Sequence, residues 1–335
     1  MDAVEAGFPN PPSDQPQWLA LVQAVINFEA PLWDPATCGG GFRWQVFSFN
    51  TGYNLKNTIS NGGFFQLASR LARYTQNQTY ADLADKAWDW MSGTLLLQTS
   101  NNATQVYDNT DSNNNCTSVD HTFWTYNVGT LIMGSAYMYN YTNGSAVWAA
   151  RLNQLLNGAE TFFPQDYGGS IMSEITCEKT VNCNNDQSSF KAYLSRWLAV
   201  TTVIAPFTAE QITPKLQASA KGAAAQCVGG SNGRMCGRQW YTSTWDGSSG
   251  VGQQMAALSI LGANIMPPAA APKTPKTGGN STGNPNAGSG SGASANTGKQ
   301  DNSPVTTGDK AGAAILTIVV VSGLIGASGF MISGD

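Results

Sequence analysis

Two long apolar-periodic stretches in this chain begin with similar polar starts, and this repetition constrains the fold more than any other feature. The first start is Lys56-Asn57-Thr58-Ile59-Ser60-Asn61-Gly62-Gly63, leading through Phe64, Leu67, Ala68, Leu71 and Ala72 to Tyr74-Thr75. The second is Trp124-Thr125-Tyr126-Asn127-Val128-Gly129, leading through Leu131, Ile132, Ala136 and Met138 to Tyr141-Thr142. A short polar break and a second helical pattern follow each, at an offset of about 66 residues. Helical hairpins repeated in this way predict a toroid of helices with the polar helix starts gathered at one end. A ligand would sit at that end.

Periodicity predicts eight helices, near Gln15–Phe28, Asn57–Tyr74, Thr79–Leu97, Phe123–Tyr141, Ala146–Phe162, Gln187–Ile204, Glu210–Ala224 and Gly250–Ile260. Ser13 or Asp14 can cap the first, with Pro16 tolerated in its opening turn, and Thr208 can cap the helix of Glu210. Trp197 reads as core, and Trp88 and Trp90 as core and surface of one helix. The stretch Gly41-Phe42-Arg43-Trp44-Gln45-Val46-Phe47 alternates like a hairpin strand. Eight helices make four hairpins, whereas a closed (α/α)6 toroid has twelve helices. The other four would need on the order of a hundred residues. The expected fold is therefore all-α, an incomplete toroid over residues 1–266, with its first part upstream of Met1.

Charged residues are 11% of the chain, so solubility needs another source. Asn-x-Ser/Thr acceptors at Asn77, Asn102, Asn115, Asn140, Asn143 and Asn280 suggest glycans. The net charge of −4, with no basic block, argues against nucleic acid. Six cysteines without a CxxC pair, and a single histidine, argue against a metal site. Beside the glycan acceptors they read as three disulfides in an oxidising compartment. Cys177 with Cys183 and Cys227 with Cys236 can close small loops, leaving Cys38 with Cys116, although six cysteines allow fifteen connectivities.

The two ends point in different directions. Residues 267–310 are rich in Pro, Gly, Ser, Thr and Asn and read as a disordered stalk. An uncharged run of about 22 residues from Ala311 to Ile332 follows, then only Ser333-Gly334-Asp335. This is the pattern of a GPI-attachment signal over 311–335, with Asn302-Ser303 or Gly298 as attachment positions and a tail-anchored helix as the alternative. Such attachment requires secretion, yet Met1-Asp2-Ala3-Val4-Glu5-Ala6-Gly7 is not a signal peptide. It reads as the tail of a helix stopped by Gly7, which places the expected start of the gene upstream.

Several motifs resemble those of glycoside hydrolase family 76. They are the two helix starts, Cys183-Asn184-x-Asp186-Gln187-x-x-Phe190-Lys191, Trp245-Asp246-Gly247 and Gly252-Gln253-Gln254-Met255. The resemblance spans Phe8 to about Leu261. It implies an (α/α)6 barrel and retaining cleavage or transfer at α-1,6-mannosidic bonds, with fungal GPI-anchored members acting in cell-wall assembly. No cofactor is expected, and no metal is expected to be catalytic. The family's catalytic pair is two adjacent aspartates shortly before a Phe-Pro-Asn-Pro-Pro stretch, here Phe8-Pro9-Asn10-Pro11-Pro12. The dyad is therefore expected upstream of Met1, and no Asp-Asp pair occurs in the chain.

Glycosidases need two carboxyls, set about 5–5.5 Å apart in retaining enzymes. The candidates are Asp108, Asp111, Asp120, Asp166, Glu174, Glu178, Asp186 and Asp246. Asp120-His121 reads as structural, and a single histidine argues against a serine-hydrolase triad. Flat rings stack on a pyranose while amides bridge its hydroxyls. Trp44, Asn57, Asn61, Trp124, Tyr126 and Asn127 are the expected groove, although Trp and Asn at helix starts also pack and cap. Asp186 joins them through the family motif, with a salt bridge to Lys191 or a cap as its alternative role. The expected ligand is α-1,6-mannan or a GPI-glycan oligosaccharide, with a wall polysaccharide as acceptor and the membrane reached through the anchor. The competing readings are a cell-surface carbohydrate-binding protein without turnover and a structural or adhesive one.

Overall fold

The computed structural model describes residues 1–12, 15–265 and 271–278, with isolated positions beyond 306. The chain divides into a unit of Met1–Ser294 and a second of Ala295–Asp335, and every named element lies in the first. The helices are α1 (Asp2–Ala6), α2 (Trp18–Glu29), α3 (Thr58–Thr75), α4 (Gln78–Gly93), α5 (Thr125–Tyr141), α6 (Ala146–Ala159), α7 (Phe190–Ile204), α8 (Ala209–Ala225), α9 (Val251–Ala263) and α10 (Pro275–Gly278).

Three of these helices form an inner row. Gly62 of α3 faces Thr130 of α5, Gly134 of α5 faces Phe65, and Arg73 bonds Asn140, so the two helices rise together in parallel. Gly129 of α5 meets Leu194 and Trp197 of α7, and Asn140 bonds the Ile204 carbonyl, so α7 runs parallel as well. The α9 start lies beside the α7 start, where Gly252 approaches Ser188. The second helices of the hairpins, α4, α6 and α8, pack outside this row. Phe65, Trp88 and Trp148 form a buried ring cluster where α3, α4 and α6 meet.

Helix-start positions follow the sequence closely. The Asn57 carboxamide accepts from Ser60 N at 3.2 Å and caps α3. Gly7 ends α1 at φ 67°. Several expectations need correction. Residues 41–47 form no strand: successive left-handed glycines at 39–41 break the extended path, and Asn61 clamps Phe42 at both its N–H and its carbonyl. Leu97 begins a strand instead of ending α4. Thr208 does not cap α8; its hydroxyl donates back to the Ala205 carbonyl at 2.8 Å. The first expected helix begins at Trp18, with Gln17 in the N-cap position, so Pro16 precedes its opening turn and neither Ser13 nor Asp14, which lie outside the described residues, stands at its start. Trp88 and Trp90 are both buried, the latter because its indole donates to the Cys38 carbonyl at 3.0 Å. Trp197 is half-buried against the core.

Short strands, which periodicity does not reveal, brace the helix starts. β1 (Leu55–Asn57), β4 (Asn109–Asp111) and β5 (Val119–Asp120) form one antiparallel sheet in the order β1-β4-β5. Its register sets Asn57 opposite Asn109 and Asn109 opposite Asp120. β2 (Leu97–Ser100) and β3 (Ala103–Val106) form a separate hairpin.

The structure bonds Cys38 to Cys116, Cys177 to Cys183 and Cys227 to Cys236. The first bond ties the 34–40 loop to the sheet, and Lys56 holds the same loop from inside. Its ammonium, 0% exposed, donates to the carbonyls of Asp34, Thr37 and Gly40 and pairs with the Asp34 carboxylate at 3.2 Å. Burial would raise the Asp34 pKa, but bonds from Thr37 and Lys56 outweigh it and hold the carboxyl at about 2.

Composition places 267–310 in a stalk, yet residues 271–278 pack onto the helices. Lys273 N donates to the Glu5 carbonyl at 2.8 Å, and Arg73 reaches the Pro272 and Lys273 carbonyls. Nearby, Arg70 pairs with Glu5 and Asp2, and the Tyr137 hydroxyl donates to Glu5 at 2.9 Å. The hydrophobic tail lies outside the described residues apart from isolated positions. Among the described residues no helix is long and apolar enough to cross a membrane.

Of the glycan acceptors, Asn77 caps α4 through Thr79 N. Asn102, Asn115 and Asn143 stand in turns with positive φ. Asn115 accepts from Cys38 N, and Asn140 is bonded to Arg73 and Ile204. Asn280 lies outside the described residues. Replacing Lys56 by Met would leave three carbonyls and a carboxylate without their cation. Chemical denaturation is expected to show a loss of roughly 3 kcal/mol, with Lys56→Arg also destabilised because the larger guanidinium does not fit the cradle.

Candidate functional site

The parallel inner row brings the starts of α3, α5, α7 and α9 to one end, and the strands place Asp108 among them. Asp108 precedes β4. Its backbone accepts from Thr58 N at 2.8 Å, which fixes it against the first turn of α3. Its carboxylate accepts from Asn127 Nδ2 at 2.9 Å and from Asn109 Nδ2 at 3.0 Å. The Asn109 amide also reaches Asp120 at 3.4 Å. Burial raises the Asp108 pKa, the two amides oppose it, and the Asp120 charge adds to the rise.

Asn127, 0% exposed, has its Oδ1 buried without a hydrogen-bond donor. Tyr126 stacks on Phe190 of α7 at 4.1 Å between ring centroids, and Trp124 meets the same ring edge-on at 5.5 Å. The Tyr126 hydroxyl titrates well above its usual range through burial and the nearby charges of Asp108, Glu174 and Asp186. Trp124, Tyr126 and Asn127 thus form one group with Phe190 and Asp108. Asp186 is exposed at the approach to α7 and does not pair with Lys191.

Of the other expected groove residues, Asn57 lies beside this group, opposite Asn109 in the sheet, with its Oδ1 capping α3. Asn61 is buried and its amide is used up by Phe42 and the Asn57 carbonyl, so it clamps a loop and has no donor left for a sugar. Trp44 is exposed and lines a different cavity of about 660 Å³, between the end of α2 and the first turns of α3, with Trp33, Phe42, Tyr53, Glu29 and Asp34. Burial raises the Glu29 pKa there.

Behind the rim lie two buried carboxyls that residue type alone does not rank. Glu174, 1% exposed, takes the place of an N-cap for α5: Thr125 N lies 3.2 Å from each of its oxygens and the Thr125 hydroxyl 2.5 Å from Oε2. Thr176 donates to the Phe123 carbonyl, so this loop grips the residues on both sides of Trp124. Burial pushes the Glu174 pKa up to about 8, against the Thr125 hydroxyl and with help from the Glu178 charge. Glu178 pairs with Lys191 at 2.7 Å, and that ammonium also sits over Trp240 and donates to the Arg238 carbonyl. Burial lowers the Lys191 pKa.

The remaining motifs are structural. Asp246 accepts from Arg238 N, Gln239 N and Ser248 N, closing its own loop. Asn184 and Gln187 bond each other reciprocally, as in a capping box. Among the described residues no cluster of three or more His, Cys, Asp or Glu side chains is arranged to hold a metal.

A mostly helical chain with this rim of amides, carboxyls and rings at one end is the architecture of an (α/α)6 glycosidase. The sequence matches Glycosyl hydrolase family 76 over residues 1–276, and the chain belongs to that family. It is 45% identical over 322 residues to mannan endo-1,6-alpha-mannosidase DCW1 of Saccharomyces cerevisiae, covering 96% of this chain and 69% of the relative. The crystal structure of Dfg5 from Chaetomium thermophilum, in complex with glucosamine, is similar at 41% identity with a TM-score of 0.80, covering 88% of this chain and 72% of that one. The fold also matches an α-1,6-mannanase of a Salegentibacter species, in a variant inactivated at two adjacent aspartates and bound to α-1,6-mannotriose. There the TM-score is 0.56 at 18% identity, covering 72% of this chain and 66% of that one.

The Glu174 proton makes stability depend on pH. The folded pKa of about 8 lies above the ordinary 4.5, so between these values the folded chain keeps a proton that the unfolded chain has released. Its contribution is complete below about 4.5 and is lost as pH rises through 8. Thermal unfolding at acid and alkaline pH is expected to show the wild type losing more stability towards alkaline pH than Glu174→Gln, which stays neutral. Equal losses would contradict this assignment.

Proposed function

We propose that the chain is an α-1,6-mannan-directed glycosidase or transglycosidase of the fungal cell surface, with its glycan laid along the rim at the starts of α3, α5 and α7. The observation that carries the reading is the meeting of Asp108 and Asn127 with Tyr126, Trp124 and Phe190 at the end where the helix starts converge. Rings and neutral amides suit a pyranose, and a rim without paired cations suits an uncharged chain of hexoses better than a phosphate. Family membership and the mannosidase relative support the linkage.

Retaining cleavage and transfer share a glycosyl intermediate and differ in the acceptor, water or a second saccharide such as wall polysaccharide. The GPI glycan, itself a mannose-containing oligosaccharide, is a second candidate donor. The tail of 311–335 supports anchoring at the plasma membrane, from which the rim would act in the wall. A second reading, recognition without turnover, is favoured by the rim as described, whose amides and rings suit holding a sugar and whose Asp108 carboxylate is bound by amides.

Calorimetry on the protein translated together with the coding sequence expected upstream of Met1, using α-1,6-mannotetraose and β-1,4-linked cellotetraose and followed by chromatography of the incubated sugars, tests both readings. Selective binding with shortened or elongated mannan products supports the first. Selective binding with the sugar recovered intact supports the second. Equal binding of the two sugars, or none, overturns both. For anchoring, a phosphatidylinositol-specific phospholipase is expected to release the protein from intact cells.

A further inference from the structure

We infer that Asp108, held by Asn127, is the residue that fixes the orientation of a hexose at the rim by accepting hydrogen bonds from its hydroxyls. The inference rests on the mannan reading and deepens it.

The argument is an account of donors and acceptors. An ionised carboxylate has about four acceptor positions. Asp108 receives one amide hydrogen on each oxygen, from Asn127 and from Asn109. Its partners among the described residues are amides, not cations, so nothing neutralises its charge by direct pairing. The Asn127 amide that donates to it carries Oδ1, an acceptor buried without a donor. Buried polar atoms are normally satisfied, and the exceptions call for a cause. The half-buried Asp108 carboxylate therefore has acceptor positions to spare, and no cation among the described residues takes them.

That surplus of acceptors selects the ligand. A phosphate or carboxylate would add acceptors and meet repulsion from Asp108, Asp120 and Asp186. A saccharide hydroxyl brings a donor, and two neighbouring hydroxyls can serve the carboxylate together. Hydrogen bonds to a charged acceptor are the stronger kind. Tyr126 and Trp124, packed on Phe190, supply rings beside the polar floor. The placement is rigid. The Asp108 carbonyl is tied to the first turn of α3, Asn127 belongs to the first turn of α5, and Asn109 is paired in the sheet.

The test uses the full chain, with α-1,6-mannotetraose and a set of monodeoxy α-mannosides measured by calorimetry against wild type, Asp108→Asn and the outer-helix control Asp89→Asn. Thermal unfolding establishes that each variant folds. Asp108→Asn is expected to weaken mannotetraose binding by roughly tenfold to a hundredfold, with Asp89→Asn unchanged. At least one deoxy sugar should bind wild type more weakly than its parent, and that difference should vanish in Asp108→Asn. A purely structural role would lower affinity without removing the discrimination between parent and deoxy sugar, and so would overturn the inference. Wild-type discrimination retained in full by Asp108→Asn would overturn it while leaving the mannan reading intact. No mannotetraose binding by wild type would overturn both. Calcium chloride alone is titrated as well: saturable calcium binding lost in Asp108→Asn would assign the cluster to a cation and overturn the hydroxyl role.

Discussion

The close parallel contact of α3 with α5, and of α5 with α7, is the constraint on which the rest of the structure depends. At Gly134 a Cβ would stand 2.4 Å from the Phe65 ring, and at Gly129 it would stand 2.7 Å from Trp197. Any side chain there would push the helices apart. Because the three helices lie close and point the same way, their starts reach one level, and the side chains of their first turns meet. The β1-β4-β5 sheet then carries Asp108 into that level from a segment with no helical character.

Two buried lysines secure the loops behind the rim. Lys56 gathers the 34–40 loop and Lys191 joins Glu178 to the Arg238 carbonyl, each on the first turns of the inner row or just before them. In a chain so poor in charge these cations are placed inside the fold. They act as cross-links between helix starts and irregular segments, in the same places where the disulfides act covalently. The rim thereby rests on backbone that has little regular structure of its own but is held at several points.

The helices were legible because their apolar spacing is long and regular, and their order and approximate limits follow from periodicity. The repeat also equates Asn61 with Asn127, and there its guidance ends. Asn61 faces a left-handed glycine loop that uses both ends of its amide, whereas Asn127 faces Asp108 and keeps an acceptor free. The difference comes from partners far away in the chain. For the same reason Trp44, typical of a sugar site by residue type, lies in another cavity, and Glu174 and Asp108 did not stand out among eight carboxyls. Neither sits in a motif. Their surroundings are made by tertiary packing, through burial and through bonds to Thr125, Asn109 and Asn127. The short strands are not legible in the sequence because two to four residues carry too little alternation.

Hydrogen exchange of the full chain with and without α-1,6-mannotetraose tests the central claim, that the glycan lies on the rim made by the inner helix starts. The account predicts added protection in the segments around Tyr107–Asn109, Trp124–Asn127 and Asp186–Phe190. Protection confined to the cavity around Trp33 and Trp44, with none at those three segments, would contradict it.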